Sequence, residues 1–436
     1  MRLLEDGGVT SAMGFSAAAT ACGLKKNGKP DLALVVSERD CAAAGVFTQN
    51  LVAAAPVILD KATLAQNRDS LRAVVINAGN ANACTGAEGL HNARETQALV
   101  ASAVGCGAEQ VLVMSTGVIG VPLNMEKVKR GVAAASQTLS PAHGHASAEA
   151  IMTTDTRPKE VAVQFDTPHG PVTIGGMAKG AGMIHPNMAT MLAIITTDAA
   201  APALLLQEWL TQAVNRTFNR ISVDGDTSTN DTVLLLANGA SGVAVSREPL
   251  AEALAASREP LAVSQNSPTA ILPAASGQQP AALFAAALHH VCLTLAQMIV
   301  RDGEGATKVA EIRVTGTAND DDAHRIAETI ATSPLFKTAL AGGDANWGRI
   351  VAAAGRAGIP FDPQQTSLTI SGPGLVPLTI FANGMPTEYE EGAAAAIFAQ
   401  ADILIHLNVG PGSGTDTMWT CDFTADYVAI NADYRT

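Results

Sequence analysis

Aromatic side chains are scarce in this sequence, at 4% of residues, and formal charges make up only 15% against 47% hydrophobic residues. A disordered chain needs the opposite balance, so the bulk of this one is expected to fold into a well-buried globular protein. With so few rings, alanine and the aliphatic residues must fill the interior, which lets helices and sheets approach closely. Basic residues are short as well: 27 Lys and Arg against 40 Asp and Glu leave a net charge of −13. That sign argues against a nucleic-acid partner, which would require a basic face. Cysteine is sparse and forms no CxxC pair; Cys22, Cys41, Cys84, Cys106, Cys292 and Cys421 read as buried free thiols in a reducing compartment. The start, MRLLEDGGVTSAMGF, places Glu5 and Asp6 where a signal peptide needs its apolar core. Residues 281–300 carry no formal charge, but His289, His290, Thr294 and Gln297 among the alanines favour a buried amphipathic helix over a membrane span. A cytoplasmic protein without a membrane partner is expected.

At 436 residues the chain calls for two domains or two closely packed halves. DLALVVSE (31–38), APVILD (55–60) and LRAVVINAG (71–79) read as short strands, and 88–105 as a helix stopped by Gly105. QVLVMSTGVIG (110–120) reads as a strand entering a glycine-bearing turn, and 160–180 as a hairpin. MLAIITTDA (191–199) has the continuous apolar character of a strand covered on both faces, and a helix follows from about Pro202 to Arg216. Residues 246–281, rich in Ala, Ser, Pro and Gln, read as a surface excursion. Strands and helices interleave throughout, so the fold class is α/β or α+β in layers.

The stretch KGAGMIHPNMATMLAIITTDA (179–199) carries the most chemistry. Gly180 and Gly182 permit backbone geometry that a Cβ would forbid, and Pro186 disfavours helix, so Thr190 stands at the mouth of a buried strand. A threonine hydroxyl is a weak nucleophile unless a base takes its proton, and a threonine at a chain terminus can use its own α-amine. Such an amine titrates near pKa ~7.7–8, against ~10.4 for lysine, so a useful fraction is free base at neutral pH. The amine exists only after the preceding bond is cut. Thr190 Oγ1 can make that cut by attacking the Ala189 carbonyl to form an ester that water then releases.

KGAGMIHPNMATML resembles the self-cleavage signature of the ornithine acetyltransferase family, the bifunctional glutamate N-acetyltransferases of arginine biosynthesis. NAGNANACTG (77–86), STGVIG (115–120), SVDGDTSTNDT (222–232), RDGEGATK (301–308), SPLFKTALAGGDANWGRI (333–350) and YVAINADYRT (427–436) also resemble the family, in its order, so the likeness covers nearly the whole chain. The 246–281 stretch looks longer than the family's corresponding segment, and it falls between motifs. The resemblance implies an αββα sandwich reminiscent of N-terminal nucleophile hydrolases with a second, smaller α/β domain. It implies scission between Ala189 and Thr190 into an α chain, residues 1–189, and a β chain, residues 190–436, paired as α2β2. Catalytic roles fall to Thr190, Thr116 and Gly117, the last two as oxyanion donors, each such donor contributing roughly 2.7–4 kcal/mol. Substrate contacts fall to Thr153, Lys179, Thr190, Glu304, Asn431 and Thr436. Charge matching assigns Lys179 to the α-carboxylate and Glu304 to the side-chain ammonium of ornithine.

The implied reaction moves acetyl from N-acetylornithine to glutamate, with no metal or prosthetic group and with acetyl-CoA as a second donor left open. A self-processing aminopeptidase or amidase is the alternative, since the same nucleophile delivers its acyl group to water wherever water reaches it. An accessory member serving another pathway and a non-catalytic binding protein of the same fold also remain. SVDGDTSTNDT invites a calcium reading, but Thr229 and Leu235 stand where an EF-hand needs Gly and Glu, so Asp224, Asp226 and Asp231 are expected to organise a turn instead.

Overall fold

The computed structural model describes residues 1–186, 191–246 and 280–432. Ala189, Thr190, Thr436 and residues 247–279 of the expected excursion therefore lie outside the described residues. The chain divides into two compact units, one taking in Met1–Gly180, Asn187–Asn219 and Thr227–Ala296, the other Ala181–Pro186, Arg220–Asp226 and Gln297–Thr436.

Unit one contains β1 (Arg2–Leu3), β2 (Phe15–Thr20), β3 (Leu32–Phe47), β4 (Leu71–Asn80), β5 (Val111–Val118), β6 (Lys159–Thr167), β7 (Gly170–Lys179) and β8 (Leu192–Thr197). After β9 (Ile221–Ser222), which belongs to unit two, β10 (Thr232–Ala237) returns to unit one. These strands join in the order β1-β6-β7-β8-β10-β3-β4-β5, with β2 also paired to β3. The long strand β3 makes this arrangement possible. Its first half pairs with β2 and β4 and its second half with β10, and its register with β4 shifts between Val36 and Cys41, where Glu38, Arg39 and Asp40 are exposed.

Alternate residues then face opposite layers. Ala33, Val35, Val74, Ile76, Leu112 and Met114 meet Met177, Leu192, Ile194, Leu234 and Leu236 from the other half of the sheet. Leu32, Leu34, Ala73, Val75, Val111 and Val113 face the helices Ala55–Gln66, Gly86–Val104 and Met125–Ser136. On the far side, Gln207 of helix Ala203–Arg216 exchanges hydrogen bonds with the Gly45 backbone, and a Cβ at Gly176 would meet Val291 and Leu295 of helix Pro280–Arg301. The layers run αββα, as the resemblance implied.

One expected strand is a helix. APVILD begins the helix Ala55–Gln66, with Pro56 in its first turn and Ala55, Leu59, Thr63 and Leu64 buried at helical spacing. A short apolar run carries no periodicity of its own, and a proline at a helix start costs nothing because that N–H has no intrahelical partner. The strand expected at 31–38 continues to Phe47, because the charged triplet at its centre bends it without ending it. Other expected elements appear within a few residues: β4, the helix Gly86–Val104 closed by left-handed Gly105, β5, the β6–β7 hairpin and β8 with every residue buried.

Helix Pro280–Arg301 is long and apolar enough to cross a membrane, but half of its most apolar window is buried within the protein. Phe284, Leu288, Val291, Leu295 and Ile299 are fully buried, and Phe284 packs on Trp209 with ring centroids 4.9 Å apart. It is a core helix. All six cysteines are free; four are buried, Cys106 is half-buried and Cys84 is exposed.

Unit two adds to β9 the strands β11 (Val309–Thr317), β12 (Ser367–Ser371), β13 (Leu378–Ala382), β14 (Met385–Pro386), β15 (Asp402–Asn408) and β16 (Gly414–Cys421), ordered β14-β13-β12-β15-β11-β16-β9. Strand β15 alternates strictly between buried and half-buried residues, so Ile403, Ile405 and Leu407 join Ile312, Val314, Leu368 and Met418 on one covered face. Helices Asp320–Ala331, Pro334–Gly342 and Trp347–Gly355 supply the cover with Ile326, Ile330, Phe336, Leu340 and Ile350.

His289, on the core helix, gives this fold a pH signature. Burial, with Arg216 and His290 nearby, lowers its pKa to about 4 from the usual 6.5. The unfolded chain therefore binds the proton that the folded chain refuses, and stability falls as pH drops from 6.5 towards 4. One such site contributes at most about 1.4 kcal/mol per pH unit. Thermal melts across this window should show His289→Gln losing less stability on acidification than the parent.

Candidate active site

The residues singled out from the sequence stand in three places. Thr116 and Gly117 lie near the end of β5, paired with β4, where the register shifts at Asn80. Gly117 has φ +130, and a Cβ there would sit 2.3 Å from the Gly79 carbonyl carbon and 2.6 Å from the Asn80 nitrogen. Only glycine fits so close a crossing of two backbones. Thr116 is buried, and the neighbouring Ser115 donates its hydroxyl to Asn77 at 2.6 Å.

Lys179 closes β7. It is not the solvated charge usual for lysine: its side chain is 2% exposed, its ammonium donates to Thr153 Oγ1 at 2.7 Å, and Asp155 Oδ2 lies at 3.6 Å. Asp155 also receives the Lys159 ammonium at 2.7 Å and the backbone N–H groups of Thr153 and Gly180 at 2.9 and 2.6 Å. Burial alone would raise the Asp155 pKa, but the Lys179 and Lys159 charges and the donated hydrogen bonds hold it well below the usual carboxylate range. Two ammoniums around one carboxylate leave the triplet with a net positive charge, suited to an anionic ligand. Lys25 lies close enough to feel both Asp155 and Lys179, and burial brings its pKa down to about 8.

In unit two, Glu304 is buried and its N–H donates to the Ala181 carbonyl at 2.8 Å. Asn431 donates its amide to Glu304 Oε2 at 2.8 Å and to the Tyr427 carbonyl at 3.0 Å. A Cβ at Gly182 would lie 2.5 Å from Glu304 Oε2, so a side chain there would push this carboxylate out of its place. Next to it, Asp224 accepts the N–H groups of Met183 and Ile184 at 2.6 and 3.0 Å and faces the Tyr427 hydroxyl at 3.3 Å. Met183 takes φ +53, a left-handed conformation that these two bonds help to hold. Of the carboxylates of SVDGDTSTNDT, Asp224 organises a turn here and also accepts the Asp226 N–H at 3.3 Å, whereas Asp231 in unit one accepts the Met191 N–H at 2.9 Å and so links two strand starts instead of a turn.

A family model described as the ArgJ family matches residues 16–436. The chain belongs to that family. Among its relatives, the arginine biosynthesis bifunctional protein ArgJ of Symbiobacterium thermophilum is 46% identical over 432 residues, 99% of each chain. The protein of the same name from Gloeobacter violaceus is 45% identical, over 99% of this chain and 98% of that one. A solved ornithine acetyltransferase from Mycobacterium tuberculosis, in complex with ornithine, is 47% identical, covering 42% of this chain and 97% of that chain with a TM-score of 0.40.

For this ArgJ-family chain, then, the structure joins Lys179 to Thr153 and Glu304 to Asn431, and gives Gly117 a steric reason to be glycine. Ala189, Thr190 and Thr436 lie outside the described residues. Sequence reasoning missed Asp155, Lys159 and Lys25. The i, i+4 spacing of Asp155 and Lys159 just before a strand was a usable signal; Lys25 gave none.

Two substitutions test these placements. Gly117→Ala should lower the melting temperature sharply and abolish turnover in whatever folds, because the added methyl runs into the Gly79–Asn80 backbone. Lys179→Met should raise the Michaelis constant for an N-acetylated diamino acid and also lower stability. The stability loss can reach about 3–5 kcal/mol, the range for breaking a buried ion pair, less whatever Lys159 retains. Parental kinetics in a stable Lys179→Met protein would remove Lys179 from the site.

Proposed function

We propose that this chain is a self-processing acetyltransferase of arginine biosynthesis that moves acetyl from N-acetylornithine to glutamate through an acetyl ester on Thr190. Membership of the ArgJ family, at 46% identity along the whole length of a relative named for arginine biosynthesis, carries this reading. Cutting between Ala189 and Thr190 gives an α chain of residues 1–189 and a β chain of 190–436, which we assign to an α2β2 assembly in the cytoplasm.

The Thr190 hydroxyl attacks the acetyl carbonyl of N-acetylornithine while the new α-amine takes its proton. Thr116, through its hydroxyl, and Gly117, through its N–H, stabilise the oxyanion. Collapse of that intermediate breaks the C–N bond, the amine returns its proton to the leaving nitrogen, and ornithine departs. Glutamate then attacks the ester through its α-amino group, and N-acetylglutamate leaves with the Thr190 hydroxyl restored. Lys179 and Thr153 receive the substrate carboxylate, an assignment supported by the positive Lys179–Asp155–Lys159 triplet. Glu304, with Asn431 beside it and Thr436 from the tail, takes the ornithine side-chain ammonium. The chemistry requires no metal or prosthetic group. The word bifunctional in the relatives' names supports a second donor, which we take to be acetyl-CoA.

Denaturing intact-mass measurement comes first, and should give two fragments matching residues 1–189 and 190–436, with Thr190→Ala leaving one chain. Incubation with N-acetylornithine should then release ornithine chiefly when glutamate is supplied. Equal release without glutamate would make the protein an amidase, and a persistent single chain in the parent would leave Thr190 without its base and remove the mechanism.

A further inference from the structure

Asp231 stands where β10 begins, and β10 runs parallel to β8 with Thr232 opposite Leu192. Its carboxyl is fully buried, with Oδ1 accepting the Met191 N–H at 2.9 Å while the following residue, Thr232, donates its own N–H to the Met191 carbonyl at 3.1 Å. Met191 is thus gripped on both sides of its Cα by consecutive residues. Asp231 is itself braced, since its carbonyl accepts the Thr48 N–H at 2.9 Å. A fully buried carboxyl is an expensive acceptor for the Met191 and Ser228 N–H groups, which a smaller neutral side chain could satisfy.

The Met191 nitrogen is half of the Thr190–Met191 peptide. Because the atoms of a peptide lie in one plane, an acceptor that fixes this N–H also fixes the plane from which the preceding residue departs. We propose that Asp231 is a positioning residue for the nucleophile, acting through the Met191 amide to set the direction from which Thr190 meets the carbonyl it attacks. This rests on the assignment of Thr190 made above. Burial pushes the Asp231 carboxyl well above the usual carboxylate range, with the Met191 and Ser228 N–H groups and the Lys179 charge opposing it in part. A neutral acid in this place is matched in shape and acceptor capacity by an amide.

The test compares Asp231→Asn with Asp231→Ala in the full-length chain, following scission by intact mass over time and then acetyl transfer in the scissile product. Asp231→Asn keeps the acceptor and should cut and turn over close to the parent. Asp231→Ala removes it and should slow both scission and kcat by roughly 10- to 100-fold, the scale of a small misplacement at a reacting centre, with KM for N-acetylornithine unchanged. Thermal melting checks the fold first; should Asp231→Ala not fold, Asp231→Ser, whose hydroxyl falls short of the amide, is read in its place. Parental rates in the acceptor-free variant overturn the proposal. So does an Asn variant as slow as the Ala one, which would make the acid itself the working group. Scission or transfer persisting in Thr190→Ala would instead overturn the choice of nucleophile, independently of Asp231.

Discussion

A single strand has to belong to both halves of the nine-stranded sheet in unit one. Strand β3 does so by bending at Glu38, Arg39 and Asp40, with β2 and β4 on its first half and β10 on its second. The bend brings two apolar faces together, Ala33, Val35, Val74 and Ile76 against Leu192, Ile194, Leu234 and Leu236. Alanine is well suited to such an interior, because its short side chain lets the facing layers close up without rings to fill the gap. Everything placed by β5 on one half and by β7, β8 and β10 on the other depends on that fold-over. A straight β3 would leave the Thr116–Gly117 strand end and the Lys179 strand end in one flat array, with no core between them.

The second constraint is electrostatic. Asp155 is buried among Lys159, Lys179 and two backbone amides, and a carboxylate in that position survives only because its partners more than offset its lost hydration. The consequence for Lys179 is rigidity: a long, flexible side chain becomes a fixed ammonium at the end of β7, with Thr153 sharing its protons. A substrate carboxylate arriving there would find its partner already oriented, which lowers the entropy lost on binding. Glu304 is placed in a different way, in the space that Gly182 leaves by lacking a Cβ and with a hydrogen bond from Asn431.

How much of this could be read beforehand varies with the kind of residue. Strands buried on both faces, such as β8 and β10, announce themselves as continuous apolar runs, and Gly105 marks its helix end through the left-handed conformation that it alone adopts cheaply. APVILD was misleading because five apolar residues hold too few turns to show a period, and only the proline hinted at a helix start. The motif residues were legible through resemblance, and the structure adds why some of them are irreplaceable, as at Gly117. Asp155, Lys159 and Lys25 were not legible, because what matters about them is burial and mutual distance, and both arise from chain segments far apart in sequence.

The polar run that precedes β10 joins these strands into one working frame. Ser228, Thr229, Asn230 and Asp231 are all buried, although each costs about 1–3 kcal/mol if left without a partner and apolar residues would pack there more cheaply. Their partners explain the choice. Asn230 donates its amide to the carbonyls of Ala81 and Ser115 at 2.7 and 2.9 Å, and Ser115 is the residue before Thr116. Asp231, the next residue, holds the amide of Met191. Successive side chains of an extended segment point in opposite directions, so two adjacent residues can brace β5 on one side and β8 on the other. Any shift of this run would move the proposed oxyanion donors and the start of the proposed nucleophile's strand together, and their mutual geometry, which an acyl transfer needs more than it needs their absolute position, would be preserved.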